Sequence, residues 1–148
     1  MTVAAMNHNV NGAFRFLVEL DHMLVAGFSE VQGLESQIEY EEIREGGVNG
    51  YVHRLPKGVR NSSIILRRGL SSSQELWNWY SQSSLGKVVR KSGSIILYKH
   101  DGTELCRWNF FDAYPTKWSG PSLNAATSEV AIETIELVHN GIKTIFRS

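Results

Sequence analysis

The feature that most constrains this chain is the segment from Ser94 to Phe111, SIILYKHDGTELCRWNFF. Two apolar-rich runs flank Asp101-Gly102, a dipeptide that favours a two-residue hairpin turn of the primed type, because both central positions need positive φ. That register sets Lys99 opposite Glu104, Leu97 opposite Cys106 and Ile95 opposite Trp108. One face then carries Ile95, Leu97, Cys106, Trp108 and Phe110, with a Lys99–Glu104 ion pair near the tip. The other face shows Ile96, Tyr98 and Leu105 beside His100 and Arg107. A sheet with one solvated side alternates more cleanly than this. Something must therefore cover the second face as well: a helix, a second sheet or a neighbouring subunit.

The remaining elements follow the same β-rich pattern. Residues 1–12 read as a polar arm ending at Asn11-Gly12. From Ala13 to Leu20 the chain alternates, with Phe14, Phe16, Val18 and Leu20 on one face and Arg15 and Glu19 on the other, as in a half-buried strand. Met23 to Ala26 reads as its return strand, and Gly27 to Gly33 as a bend. Ser62 to Arg68 is a strand around Ile64, Ile65 and Leu66. Tyr114-Pro115 is expected to end the strand before it, since proline cannot donate to a ladder. Ala125 to Val138 could be a helix, with Glu129, Glu133 and Glu136 on one side, or a strand, with Val130, Ile132 and Thr134 alternating. Its β-branched residues favour the strand. Asn140-Gly141 is a hairpin-type turn before a last strand, Ile142 to Phe146.

One helix is expected, from Ser72 to Leu85. Ser72 and Glu75 have capping-box spacing, and Gly86 stands where a C-terminal cap belongs. Leu76, Trp77 and Tyr80 share a helical stripe, with Trp79 to the side, so the helix is expected to act as a lid on the sheet. Trp108 belongs to the same core.

Between Gly33 and Gly69 the charge is segregated by sign. The first half holds Glu35, Glu39, Glu41, Glu42 and Glu45 against Arg44 alone. The second half holds Arg54, Lys57, Arg60, Arg67 and Arg68 and no acid. Gly46, Gly47 and Gly50 lie at the seam and mark a hairpin, extended over residues 41–58. Pro56-Lys57-Gly58 suits a tight turn, and the out-of-phase Ile43 suggests a bulge near Glu41. Such a hairpin can pair its own arms. Alternatively, blocks of opposite sign on different surfaces fit contact with another copy of the chain, with Glu39, Glu41, Glu42, Glu45, Arg54, Lys57, Arg60, Arg67 and Arg68 as the candidate contact residues.

These stretches, taken in order, resemble a known family. The residues are Gly27-Phe28-Ser29-Glu30 with Gly33-Leu34, Ile38-Glu39-Tyr40, Arg44-Glu45-Gly46-Gly47 and Leu55-Pro56-Lys57-Gly58. They continue through Leu66-Arg67-Arg68-Gly69, Glu75-Leu76-Trp77-Asn78-Trp79 and Trp108-Asn109-Phe110, and close with Ala113-Tyr114-Pro115-Thr116-Lys117-Trp118 and Ala131-Ile132-Glu133-Thr134-Ile135-Glu136-Leu137. Together they resemble the tail tube protein family of contractile tailed phages and related contractile injection systems. The resemblance implies hexameric rings that close a continuous inner β-barrel, stack head to tail through loops such as the long hairpin, and form a conduit driven through a target envelope when a sheath contracts. It implies as partners further copies of the chain, a contractile sheath protein, baseplate or tube-initiator and terminator proteins, and a cargo or tape measure in the lumen. A tube-initiator subunit at the baseplate would share these motifs. A small-ligand-binding β-barrel using its tryptophans is the alternative from another class.

Composition narrows the remaining classes. With 148 residues, one domain spanning 1–148 is expected, mainly β, with two antiparallel sheets as a sandwich or flattened barrel and one flanking helix. Fifteen basic residues balance fifteen acidic ones, which gives no global attraction to nucleic acid or an anionic membrane. Cys106 alone cannot form an internal disulfide. The N-terminus lacks the basic start and apolar run of a signal peptide, and no stretch is apolar enough for a membrane span, so assembly in the cytoplasm is expected, and the resemblance implies later incorporation in a phage tail or phage-tail-like particle. The five histidines are scattered, and no phosphate loop, nucleophile elbow or zinc-protease helix is present. Neither a catalytic site nor a cofactor is expected.

Overall fold

A computed structural model describes residues 15–21, 23–25, 27–44, 52–127 and 129–147. The arm over residues 1–12 and the glycine seam of the long hairpin, with Glu45, lie outside the described residues. Ten strands and a helix follow in order: β1 Arg15–Leu20, β2 Met23–Val25, β3 Phe28–Gln32, β4 Ser36–Ile43, β5 His53–Asn61, β6 Ile64–Gly69, α1 Glu75–Ser84, β7 Lys91–Tyr98, β8 Glu104–Ser119, β9 Ile132–Val138 and β10 Gly141–Phe146. Every pairing among them is antiparallel. Among the described residues, the mainly β class with one helix is therefore observed.

The spine of the fold is β8. Its sixteen residues pair with β7 along one edge and, along the other, first with β10 and then with β9. The main sheet runs β2-β1-β7-β8-β9-β6-β3, with β10 beside β8. Strands β9 and β10 are successive parts of one path alongside β8, so Asn140-Gly141 is a break in that path and makes no hairpin between them. Opposite the break sits Asp112, whose φ of 54° lies in the left-handed region. Aspartate tolerates that region better than most residues. Its carbonyl accepts from Arg90 at 3.4 Å, and its carboxylate accepts from the Asn140 amide. Here β8 passes from the β1–β7 half to the β9–β6–β3 half. The strand does not stop at Pro115, which pairs with Leu137 beside a register shift. A bulge spares the ladder the missing N–H.

The core is filled from both halves: Val18, Leu20, Ile95 and Phe110 from one, Ile64, Leu66, Ile135 and Leu137 from the other, with Leu76 and Trp79 of α1. Ile96 alternates away from this core, yet only 1% of it is exposed, so the second face of the β7–β8 hairpin is covered there within one chain. The pairs Leu97–Cys106 and Ile95–Trp108 form as expected. At the tip the register shifts, with Tyr98 opposite Glu104. Gly102 alone takes a positive φ in the turn, and its N–H reaches the Lys99 carbonyl at 2.9 Å. The turn is therefore a type I turn with a glycine bulge. The expected Lys99–Glu104 pair gives way to Glu104 held by Arg107 and Arg147.

Two further expectations are corrected. The stretch after Gly27 is not merely a bend: Phe28–Gln32 is strand β3, paired with β6. The helix begins at Glu75 with Gln74 as N-cap and no side-chain cap, so the Ser72–Glu75 capping box does not form. At its other end Gly86 and Lys87 donate to Ser83 and Gln82, the paired hydrogen bonds of a Schellman cap.

Candidate functional site: a projecting hairpin on a sandwich body

Strands β4 and β5 form a sheet of their own. Its base is held firmly. Gly33, at φ +91°, approaches the Ser63 carbonyl so closely that any Cβ there would collide with it. Ser62 donates to Glu35 at 2.6 Å, and His139 Nε2 lies 2.9 Å from the Ser62 carbonyl. Since His139 Nδ1 also accepts from the Gly141 N–H at 3.2 Å, a proton on Nε2 satisfies both contacts. The hairpin is thereby tied to the break between β9 and β10.

Above that base, all eight residues of β4 are exposed. The register pairs Ile38 with Val59 and Tyr40 with Pro56 on one face. Ile38 is 62% exposed and Val59 65%. The other face carries Gln37, Glu39 and Glu41 beside Arg60, with Ile43 and Leu55 toward the tip. A bulge falls between Glu39 and Tyr40, close to the expected place. Pro56-Lys57-Gly58 is no tight turn: it lies within β5, and Lys57 is the residue left out of the pairing. Proline is tolerated on this edge strand and at its bulge.

The structure places the two charge blocks side by side, on neighbouring strands. Arg54 reaches Glu42 at 3.5 Å and Arg60 reaches Glu39 at 3.8 Å. Both pairs are exposed and long, so each contributes little, on the order of 0.2–1 kcal/mol. Arg54 also stands over the Tyr40 ring, 5.8 Å from its centroid. Glu41 and Lys57 form no ion pair among the described residues. Arg67, on β6, pairs instead with Glu30 of β3.

Arg68 lies elsewhere. It is 5% exposed and pairs with Glu133 at 2.5 Å, itself 2% exposed, across the β6–β9 ladder. The second carboxylate oxygen accepts from the Trp118 indole at 3.1 Å, while the Arg68 guanidinium lies over the Phe28 ring. This buried network leaves Arg68 no free surface for contact with a second molecule. Alternation explains it: Arg67 and Arg68 are adjacent in a strand and face opposite sides.

The helix stripe is also shifted. Leu76 is buried as expected, but its partner is Trp79, whose indole donates to the Val89 carbonyl at 2.7 Å. Trp77 is 44% exposed and meets Trp118 edge-on at 4.9 Å, with Tyr80 half-buried beside it. Trp108 packs partly buried against the core. Near the β7–β8 turn, Glu104 accepts two hydrogen bonds from Arg107 (2.7 and 3.1 Å) and one from Arg147 (2.8 Å). The Arg107 hydrogen bonds, then the Arg147 one, hold its carboxyl down at about 2. Burial pushes the Cys106 thiol up, away from the reactive thiolate. Among the described residues, no three His, Cys, Asp or Glu side chains are grouped to hold a metal, and no helix is long and apolar enough to cross a membrane.

The described residues form a packed β body carrying a two-stranded hairpin exposed on both faces, an architecture that offers surface for contact. The chain belongs to the family of T4-like virus tail tube protein gp19, whose family model matches residues 12–143. It is similar to a chain of the PVC extracellular contractile injection system sheath-tube complex in its extended state. The two are 26% identical, with a TM-score of 0.81 over 96% of this chain and 97% of that one. A chain of the PVC sheath/tube terminator is 28% identical, with a TM-score of 0.79 over 88% of this chain and 93% of that one. A chain of the tube-terminating cap of the anti-feeding prophage is 27% identical, with a TM-score of 0.80 over 90% and 89%. No curated protein sequence matches the chain. The tail-tube resemblance of its motifs is thus borne out, and the chain is a structural tube component of a phage tail or contractile injection system.

Proposed function

We propose that the chain is the bulk inner-tube subunit, acting as a single domain that closes hexameric rings and stacks them head to tail, with the β4–β5 hairpin as the main element of contact between copies. The observation that supports this reading is the hairpin itself. A two-stranded hairpin with both faces in water is marginal alone. This one exposes Ile38, Tyr40 and Val59 on one face and Ile43 and Leu55 on the other, apolar surface that a neighbouring copy would cover. Closing sheets across subunits would also remove free strand edges, which otherwise invite aggregation. The tube would assemble in the cytoplasm. A contractile sheath would surround it, a baseplate initiator and a terminator would bound it, and a cargo or tape measure would occupy its lumen. Function is mechanical and uses no cofactor.

The test replaces Glu42 through Lys57 with a short Gly-Ser linker. Because the described residues of the hairpin give the core none of its buried side chains, the variant should keep its far-UV circular dichroism and nearly its melting temperature, yet form no tubes by negative-stain microscopy. Tubes of normal length from this variant would place the contact elsewhere and overturn the role of the hairpin.

A further inference from the structure

The surface that receives the hairpin is also legible in this chain. Between α1 and β8 lies a groove of about 230 Å³, lined by Tyr80, Val88, Tyr114 and Pro115 among others. Val88 brings to the edge of the groove the connection from α1 to β7, Lys87-Val88-Val89-Arg90, which runs into Lys91. Here Leu85, Val88 and Val89 are exposed apolar side chains. Lys87, Arg90 and Lys91 add three positive charges within five residues. Among the described residues none of the three forms an ion pair. Arg90 lies over the Tyr114 ring at 4.8 Å and donates to the Asp112 carbonyl at 3.4 Å, and Lys91 reaches the Asp21 carbonyl at 3.3 Å.

We infer that this groove and its basic rim are the docking site for the β4 arm of the hairpin of a second copy. This rests on the tube-subunit reading and names the receiving surface. The chemistry of the two surfaces is complementary. The β4 strand interleaves Ile38 and Tyr40 with Glu39, Glu41 and Glu42, and among the described residues its outer edge is unpaired. The rim interleaves Val88 and Val89 with Lys87 and Arg90. Ile38 and Tyr40 would fill the groove between Tyr80 and Tyr114, while Glu39 and Glu41, on the opposite face of the strand, would reach the basic segment that borders it. Glu41, which forms no ion pair among the described residues, would gain a partner. The reverse assignment is poorer, since the β5 arm brings Arg54, Lys57 and Arg60 and would meet like charge. Donor and receiver are different surfaces of one chain, so the contact is heterologous and propagates into a ring or a stack.

Two measurements test this on the full chain. Glu41→Cys combined with Val88→Cys should give, on mild oxidation, a ladder of disulfide-linked oligomers on a denaturing gel, which neither single variant forms. The native Cys106 is buried and does not interfere. In parallel, Glu41→Lys should raise the protein concentration needed for particles roughly two- to fivefold, the range of an exposed ion pair. Adding Lys87→Glu and Arg90→Glu should restore assembly, and about 1 M salt should erase the difference. Particles by microscopy with no ladder and no response to charge reversal overturn this docking site and leave the tube reading intact. If the unmodified chain forms no particles at all, both fall together.

Discussion

The buried pair Arg68–Glu133 supports a quantitative prediction. Replacing Glu133 with leucine leaves the Arg68 guanidinium enclosed at 5% exposure with no counter-charge. Its Nη2 already has no hydrogen-bond partner among the described residues. Breaking a buried pair from one side costs about 3–5 kcal/mol. The Trp118 indole also loses its acceptor, adding on the order of 1 kcal/mol. Against a typical domain stability of about 5–15 kcal/mol, that is a large share. At about 2–4 °C per kcal/mol for a chain of this size, the melting temperature should fall by roughly 10 °C or more. The double variant Arg68→Met with Glu133→Leu removes both charges together and should recover most of the loss, because a buried pair and well-packed apolar residues are often nearly equal in stability. Urea denaturation of the two single variants, the double variant and the wild type closes the cycle. A Glu133→Leu midpoint within about 1 kcal/mol of wild type would refute the reasoning. So would a double variant as unstable as the two single losses added together.

Other expectations follow from particular contacts. Trp79→Ala should destabilise by about 3–5 kcal/mol, since its ring is buried in the core; Trp77→Ala, half exposed, should lose clearly less by the same denaturation assay, and equal losses would contradict the observed helix face. Gly33→Ala should be strongly destabilising, because φ is positive and a Cβ collides with the Ser63 carbonyl; an unchanged melting temperature would sink that argument. Glu104 has a folded-state carboxyl held at about 2 against an ordinary 4.5, so its contribution is complete above about 4.5 and is lost as pH falls toward 2. Glu104→Gln should therefore flatten the acid limb of the stability curve in that window and leave its shape near neutral pH unchanged.

How far the sequence reveals this fold depends on whether a signal is local. The β7–β8 pairing is legible because Asp101-Gly102 marks the turn and an apolar-rich run flanks it on each side. The helix is legible from its period, but its face is not. Leu76 and Tyr80 fit a stripe with either Trp77 or Trp79, and only the position of β8 selects Trp79. Strand β3 is hidden because Phe28–Gln32 is short and mostly polar and pairs with β6, more than thirty residues on. Proline misleads twice: Pro56 and Pro115 both sit in strands, beside register shifts that remove the need for their N–H. The separation of acidic from basic residues is plain in the sequence. Its spatial meaning needs the β4–β5 register, which turns two blocks into facing strands. The pairing of Arg68 with Glu133 joins positions 65 apart, and no local pattern marks it.

The most direct measurement is electron microscopy of the purified 16.6 kDa chain at rising concentration, with image reconstruction of whatever particles form. The expected result is hollow rings of six copies that stack into tubes, with the β4–β5 hairpin of each copy against another copy. A chain that stays monomeric at every concentration, or packs with its hairpin free in solvent, would contradict the account.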